Sequence, residues 1–588
     1  MIRYYRKITE YILKLPENKM LLLLAFITGL LSGISAVILK NLIHFFALSL
    51  KGWFNTASES YLYLLYPGLG MIIVFLFVKY VIKDNIGHGV TKVLLALSKN
   101  DSKIKAHNTW SSVAASSVTI GFGGSVGAEA PIVYTGAAIG SNLARLMGLS
   151  YKHMSILLGC GAAGAVAGIF KAPLAGILFT LEILLFNISV TSVLPLLVSA
   201  VTSATVSFIF FGKSVVFTNS IENFNIANIP YYILLGVVCG FISLYFTRTT
   251  LAVEDRLKGI INPYKRWLIS ATALGILIFI FPPLYGEGYE SLTALLNGDA
   301  SSAVGPNIFG NLLNQRWSLL IFFGAIIFFK VLAMSFTNAG GGVGGTFGPT
   351  LFVGGVTGFV FSRFINLTGI HLLPESNFAL VGMAGLMAGV MQAPLTAIFL
   401  IAEITGGYLL FMPLIITSVV SFITIRSFEP YSIYTKRIAK DGELLSHDSD
   451  KTVLTLLKTC DLIETDFKPV DIDSSLSHLV ESVANSKRNI FPVTDRNGQL
   501  CGIIYLDDIR EIMFKKELYE ITPVIRLMKS APVTVINDDK MDIVMRKFET
   551  NGAWNLPVTD SGGRYIGFVS KSKIFSAYRE QLQQVSHE

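Results

Sequence analysis

The sequence predicts an all-α polytopic membrane domain built from two inverted repeats with discontinuous helices, followed by a cytoplasmic pair of α/β modules. Three observations carry this expectation. The 588 residues are 52% apolar and only 15% charged, with a mean hydropathy of +0.59, too apolar for an ordinary soluble protein. Residues 161–183, GAAGAVAGIFKAPLAGILFTLEI, return as residues 382–404, GMAGLMAGVMQAPLTAIFLIAEI, sharing Gly161/Gly382, Gly164/Gly385, Gly168/Gly389, Ala172-Pro173-Leu174/Ala393-Pro394-Leu395 and Glu182/Glu403 at a constant offset. After about residue 445 the composition turns charged and alternating, as in a soluble domain.

Taken in order, the first residues carry Arg3, Arg6, Lys7 and Lys14 and are broken by Pro16-Glu17-Asn18, which reads as a cytoplasmic amphipathic helix and not a signal peptide. Apolar stretches at 20–47, 62–82, 191–212, 230–250, 267–283 and 318–337 approach or exceed spanning length. Shorter ones at 131–146 and 174–187, cut by Gly or Pro, suit discontinuous helices that line a protein cavity. The halves of the membrane domain run roughly from 20 to 212 and from 230 to 435, and small residues four apart suit close helix packing in lipid. Arg426, Lys436, Arg437 and Lys440 follow the last apolar segment, so positive-inside logic places both ends in the cytoplasm of a cell inner or plasma membrane protein. The net charge of +8 then reflects orientation, and nucleic-acid binding is disfavoured because no basic patch with interleaved aromatics occurs. Cys160, Cys239, Cys460 and Cys501 lack metal or framework spacing and read as packing residues.

The chemistry concentrates in Gly123-Gly124-Ser125-Val126-Gly127-Ala128-Glu129-Ala130-Pro131, a glycine-rich loop that opens an apolar helix. Helix N-termini present unpaired N–H donors and partial positive charge, so such a loop is built to hold an anion. An ionisable group at membrane depth costs about 2.5–3.5 kcal/mol and usually marks a transport pathway. Glu129 can occupy an anion site and be displaced from it, which makes it a candidate gate; capping its own helix is the simpler alternative. A second copy, Gly341-Gly342-Val343-Gly344-Gly345-Thr346-Phe347-Gly348-Pro349, favours the gate, with Phe347 where Glu129 stood. For both helix starts to face one midplane ion, the halves must be inverted.

The tail repeats as well. Asn489 to Asp495 with Gly502-Ile503-Ile504 is echoed by Trp554 to Asp560 with Gly567-Phe568-Val569, giving two strand–turn–strand–helix modules.

Together these features resemble the CLC family of chloride channels and proton-coupled chloride transporters, with a C-terminal pair of CBS domains. Gly127-Ala128-Glu129-Ala130-Pro131 matches the family's gating-glutamate motif, Gly345-Thr346-Phe347-Gly348-Pro349 its G-x-F-x-P motif, and the similarity extends to Phe170–Phe179 and the Tyr434 region. The expected layout is a transport domain over 1–440, a first CBS domain over 445–517 and a second over 518–588. The resemblance implies Glu129 as gate, and an anion held by the backbone N–H groups of Thr346 and Phe347 and the Tyr434 hydroxyl, with Gly127 and Gly345 beside it. It also implies a homodimer in membrane lipid with small anions as partners, one pore per subunit. His88, in Gly87-His88-Gly89-Val90-Thr91, stands where the family has an anion-binding serine, and Ala128 replaces an arginine.

Function follows with alternatives open. Many proton-coupled members carry two adjacent glutamates where this chain has Glu182-Ile183. Glu182 remains a candidate on a proton path from Glu129, but it lies about 100° around the helix from the matched position, and Glu403 suggests a shared structural role. The expectation is therefore a passive, voltage- or pH-gated chloride channel, with a proton/chloride antiporter as the alternative and a CBS-regulated divalent-cation transporter as a distant third. No enzyme constellation, metal cluster or required cofactor is expected. Adenine-nucleotide binding in the tail is weakly signalled, since Asp508 and Ser570 each complete only half of the phosphate-and-ribose pattern.

Overall fold

The computed structural model describes residues 14–52, 60–99, 102–184, 190–212, 222–305, 309, 316–440, 457–531 and 533–586; the expected N-terminal amphipathic helix, with Arg3, Arg6 and Lys7, lies outside them. The chain divides into two compact units, Met1–Leu445 and Ser446–Glu588.

The first unit is helical. Among the described residues, eight helices are long and apolar enough to cross a membrane, as an integral membrane protein requires. Its first half comprises α1 (Glu17–Gly52), α2 (Tyr66–Leu76) with a π-helical extension to Ile82, α3 (Gly89–Lys99), α4 (Ser111–Gly121), α5 (Glu129–Leu146), α6 (Tyr151–Phe170), α7 (Pro173–Glu182) and α8 (Val190–Phe211). The second comprises α9 (Ile229–Lys258), α10 (Pro263–Ile280), α11 (Tyr289–Leu296), α12 (Ala300–Val304), α13 (Arg316–Ala339), α14 (Phe347–Thr368), α15 (Glu375–Met391), α16 (Pro394–Ile404), α17 (Phe411–Arg426) and α18 (Ile433–Lys440). The long helices turn residues such as Phe26, Ile38, Phe45, Ile321 and Phe328 outward, as helices facing lipid do.

The repeat governs packing. α5 lies against α6 and α14 against α15, and the glycines at these crossings allow backbone-to-backbone contact. A Cβ on Gly140 would fall 1.9 Å from the Leu157 carbonyl oxygen, and one on Gly358 would fall 1.9 Å from that of Phe378. In lipid, where the hydrophobic effect gives helices no reason to associate, such close approach supplies the dispersion contacts that hold them together.

The halves also hold each other reciprocally. Glu182, closing α7, accepts from the Leu395 and Thr396 N–H groups at 3.2 and 2.8 Å and from Thr396 Oγ1 at 2.7 Å. Glu403, near the end of α16, accepts from the Leu174 and Ala175 N–H groups at 3.0 and 2.9 Å. Each acid caps the start of the other repeat's helix, so α7 and α16 run antiparallel about a twofold relation. That is the inversion expected from the repeat.

The second unit holds two three-stranded sheets. β1 (Val470–Asp471) pairs parallel with β2 (Ile490–Thr494), and β2 pairs antiparallel with β3 (Leu500–Tyr505); β4 (Val535–Ile536), β5 (Asn555–Thr559) and β6 (Tyr565–Ser570) repeat the pattern. The lead-in to each module joins the other module's last strand. Glu464 N–H donates to the Phe568 carbonyl at 2.7 Å, and Lys529 N–H donates to that of Ile503 at 2.9 Å. Cys160 and Cys239 are buried, as packing residues are, whereas Cys460 is exposed and so departs from that expectation.

Candidate functional site

The site forms where the two glycine loops meet. Thr119 in α4 and Thr337 in α13 face each other across the repeat: Ser125 N–H donates to Thr337 Oγ1 at 3.1 Å, and Val343 N–H donates to Thr119 Oγ1 at 3.0 Å. Gly123 turns the first loop with φ of +92°, in the left-handed region that favours glycine. Gly127 and Gly345 then join in an antiparallel bridge, Gly127 N–H to the Gly345 carbonyl at 3.0 Å and Gly345 N–H to the Gly127 carbonyl at 2.7 Å. This bridge points the starts of α5 and α14 at a common centre.

The bridge decides how Gly127 and Gly345, expected beside the anion, contribute, because each amide is spent on the other glycine. Their contribution is space, since a Cβ on Gly127 would lie 2.1 Å from Glu129 Oε2.

Glu129, the first residue of α5, is 2% exposed. Its carboxylate reaches across to the start of α14, where Oε2 accepts from Gly348 N–H at 3.1 Å and Oε1 accepts from the Tyr289 hydroxyl at 2.8 Å. Like Glu182 and Glu403, it reaches from its own repeat to the start of a helix in the other. Phe347 packs its ring against Phe170 at 5.4 Å and Phe179 at 6.3 Å between centroids. Below it Thr346 Oγ1 donates to the Tyr434 hydroxyl at 3.3 Å, with both residues only 2% exposed. Thr346, Phe347 and Tyr434 are thus brought together with Glu129, while the amide that holds the carboxylate belongs to Gly348, one residue past the expected pair.

His88 is placed differently. It holds φ of +55°, and its Nε2 lies 3.7 Å from Glu254 Oε2, whose other oxygen accepts from Arg437 at 2.7 Å. Its side chain therefore engages a buried ion pair between α9 and α18. Glu182 engages α16 through its hydrogen bonds with Leu395 and Thr396, and the neighbouring Ile183 is buried at 4% exposure.

Sequence reasoning missed the segment before α11. Gly286 N–H donates to the Gly123 carbonyl at 3.1 Å, Glu287 Oε1 accepts from Ala128 N–H at 3.0 Å, and Tyr289 reaches Glu129. Beneath the segment, fully buried Lys330 donates to the Gly286 and Leu284 carbonyls at 2.8 and 3.3 Å and lies 4.9 Å from the centroid of the Phe352 ring. The acid and tyrosine of Gly286-Glu287-Gly288-Tyr289 were the available signal.

In the tail, Asp508 accepts from Lys529 at 2.7 Å. The Ser570 hydroxyl donates to the Glu464 carboxylate and accepts from Lys573 N–H at 3.1 Å. Both residues are engaged by their own unit. Asp539 titrates below the usual carboxylate range: partial burial alone would raise it, but the Lys547 ammonium at 2.6 Å and the Ile536 N–H outweigh that.

Comparison with known proteins agrees with this architecture. Residues 69–426 match the family model described as voltage gated chloride channel, and residues 460–515 and 524–580 match the CBS domain model. The chain is similar to an H(+)/Cl(-) exchange transporter ClcA of Vibrio cholerae, at 31% identity over 344 residues, covering 56% of this chain and 69% of that protein. It is also similar to the chloride channel protein CLC-e of Arabidopsis thaliana, at 28% identity over 436 residues, covering 68% of this chain and 59% of that protein. Its fold matches a slow cyanobacterial Cl-/H+ antiporter with a TM-score of 0.61 at 21% identity, over 73% of this chain and 99% of that structure.

Proposed function

The chain belongs to the CLC family, and from that premise we propose that it exchanges chloride for protons across its membrane, with Glu129 as both gate and outer proton carrier. One observation carries the reading: the chain's own carboxylate occupies the anion position at the start of α14, on Gly348 N–H and the Tyr289 hydroxyl. A charged carboxylate competes with chloride for that position, and a protonated one does not. Neutral donors at the site suit an ion that must leave as well as enter.

The proton half of the reading is supported by the relatives whose names describe exchange, and it replaces the passive channel favoured by sequence alone. Glu182 serves α16 as a cap, so the inner leg of the proton path is carried by water threading the pore and not by a second glutamate. The passive channel remains as the second reading because Ile183 holds the place of the inner acceptor. The working form is a homodimer in the plasma or cell inner membrane, with both termini cytoplasmic and a tail that needs no nucleotide. The Glu464 carboxylate on Ser570, where a phosphate would bind, supports the last point.

The test uses purified protein in liposomes. A chloride gradient is expected to drive protons uphill in the opposite direction, and a protonophore to collapse the resulting pH difference. Chloride flux with no uphill proton movement would establish the channel reading instead.

A further inference from the structure

The segment Gly286-Glu287-Gly288 enters the first half's gate from the second half, with positive φ at both glycines, +58° and +87°. It brings a carboxylate to the very turn that carries Glu129. Glu287 Oε1 accepts from Ala128 N–H at 3.0 Å, one peptide from Glu129, and the Tyr289 hydroxyl two residues on donates to Glu129 Oε1 at 2.8 Å. The charged and titratable groups facing Glu287 are Glu129 on α5, Lys40 on α1, Lys330 on α13 and Tyr289 at the start of α11. Residue 128, next to both acids, is alanine and brings no positive charge of its own.

We propose that Glu287 is part of the gate, a second carboxylate whose negative charge works against that of Glu129 and so decides at what acidity Glu129 gives up the anion position. The inference rests on Glu129 being the gate. Two like charges sharing a buried site resist simultaneous ionisation. A proton arriving at either acid removes one repulsion, while Lys40 on α1, a cation that faces both carboxylates, acts in the opposite sense by favouring both charges. Glu287 is also well placed to cap α5 through Ala128 N–H, and the isosteric Glu287→Gln separates the two roles because the amide oxygen keeps that hydrogen bond and loses the charge.

The experiment measures chloride efflux from liposomes as a function of external pH for the full chain. Glu287→Gln is expected to move the half-activating pH down by about one unit, because Glu129 then keeps its charge into stronger acid. Lys40→Gln, which removes the positive charge facing both acids, is expected to move it up. Opposite shifts are not produced by loosened packing, which a melting temperature taken on each variant would register. If Glu129→Gln flattens the pH profile but neither second-site variant shifts it, Glu287 is only a helix cap and the inference fails alone. If Glu129→Gln leaves the profile unchanged, the gate reading fails and the inference falls with it.

Discussion

Replacing Tyr289 with Phe isolates one of the two contacts from the second half that hold the Glu129 carboxylate where the anion is proposed to bind. The ring stays and only the hydroxyl, 2.8 Å from Oε1, is lost. A hydrogen bond to a charged group contributes about 1.5–3 kcal/mol, and a tenfold change in occupancy corresponds to about 1.4 kcal/mol. The docked gate should therefore weaken by roughly 10- to 100-fold, leaving Gly348 N–H at 3.1 Å as the remaining cross-repeat donor. The sign follows from which form the hydroxyl favours. It donates to the charged carboxylate, so its removal lets protons and anions each win at lower concentration. In liposome efflux the half-activating pH should rise by about 1–2 units, and the chloride concentration for half-maximal flux at neutral pH should fall about tenfold. An unchanged pH profile together with unchanged chloride dependence, in a variant of normal melting temperature, would show that this hydrogen bond does not hold the gate.

Glu129→Gln should abolish the dependence of anion flux on external pH and leave flux high, read by the same efflux assay; a retained pH profile would place the gate elsewhere. Glu182→Ala leaves the Leu395 and Thr396 N–H groups without the carboxylate that accepts from them, at about 1–3 kcal/mol for the donor of buried Thr396, so the melting temperature in detergent should drop. A stable Glu182→Ala protein that had lost proton coupling would reverse its assignment as a cap. The Asp539–Lys547 pair gives the tail an acid limit. Because the folded carboxyl titrates below its unfolded value, its stabilisation is complete above the unfolded pKa of about 3.9 and is lost as pH falls through the lower folded value. Asp539→Asn should lower stability at neutral pH and flatten the acid side of the unfolding profile followed by circular dichroism.

The sequence by itself determined the membrane class, the division into two homologous halves, the two-module tail and the lone acid in a helix-opening loop. Each is written in neighbouring residues. Apolar runs report burial or lipid, the 161–183 and 382–404 copies report a duplicated unit, and Gly-rich turns ahead of proline report helix starts. The paired acids Glu182 and Glu403 even signalled a common structural role, because a repeat related by twofold symmetry must use equivalent residues in equivalent ways.

Tertiary structure decided which donors and which neighbours the acid meets, since these come from the other half of the chain. Gly348 N–H lies 219 residues from Glu129 in sequence, and the Tyr289 hydroxyl lies 160 residues away. Which of three successive amides takes the carboxylate depends on the Gly127–Gly345 bridge that sets the register between the loops, and no local pattern encodes that register. The same holds for Glu287 and Lys330, which look like ordinary loop and helix residues until the halves close. It holds for His88 too, whose left-handed backbone turns its ring toward Glu254 and Arg437. Local sequence chooses elements by periodicity and turn chemistry, whereas a buried charge is matched to its partners by the packing of two repeats about one axis.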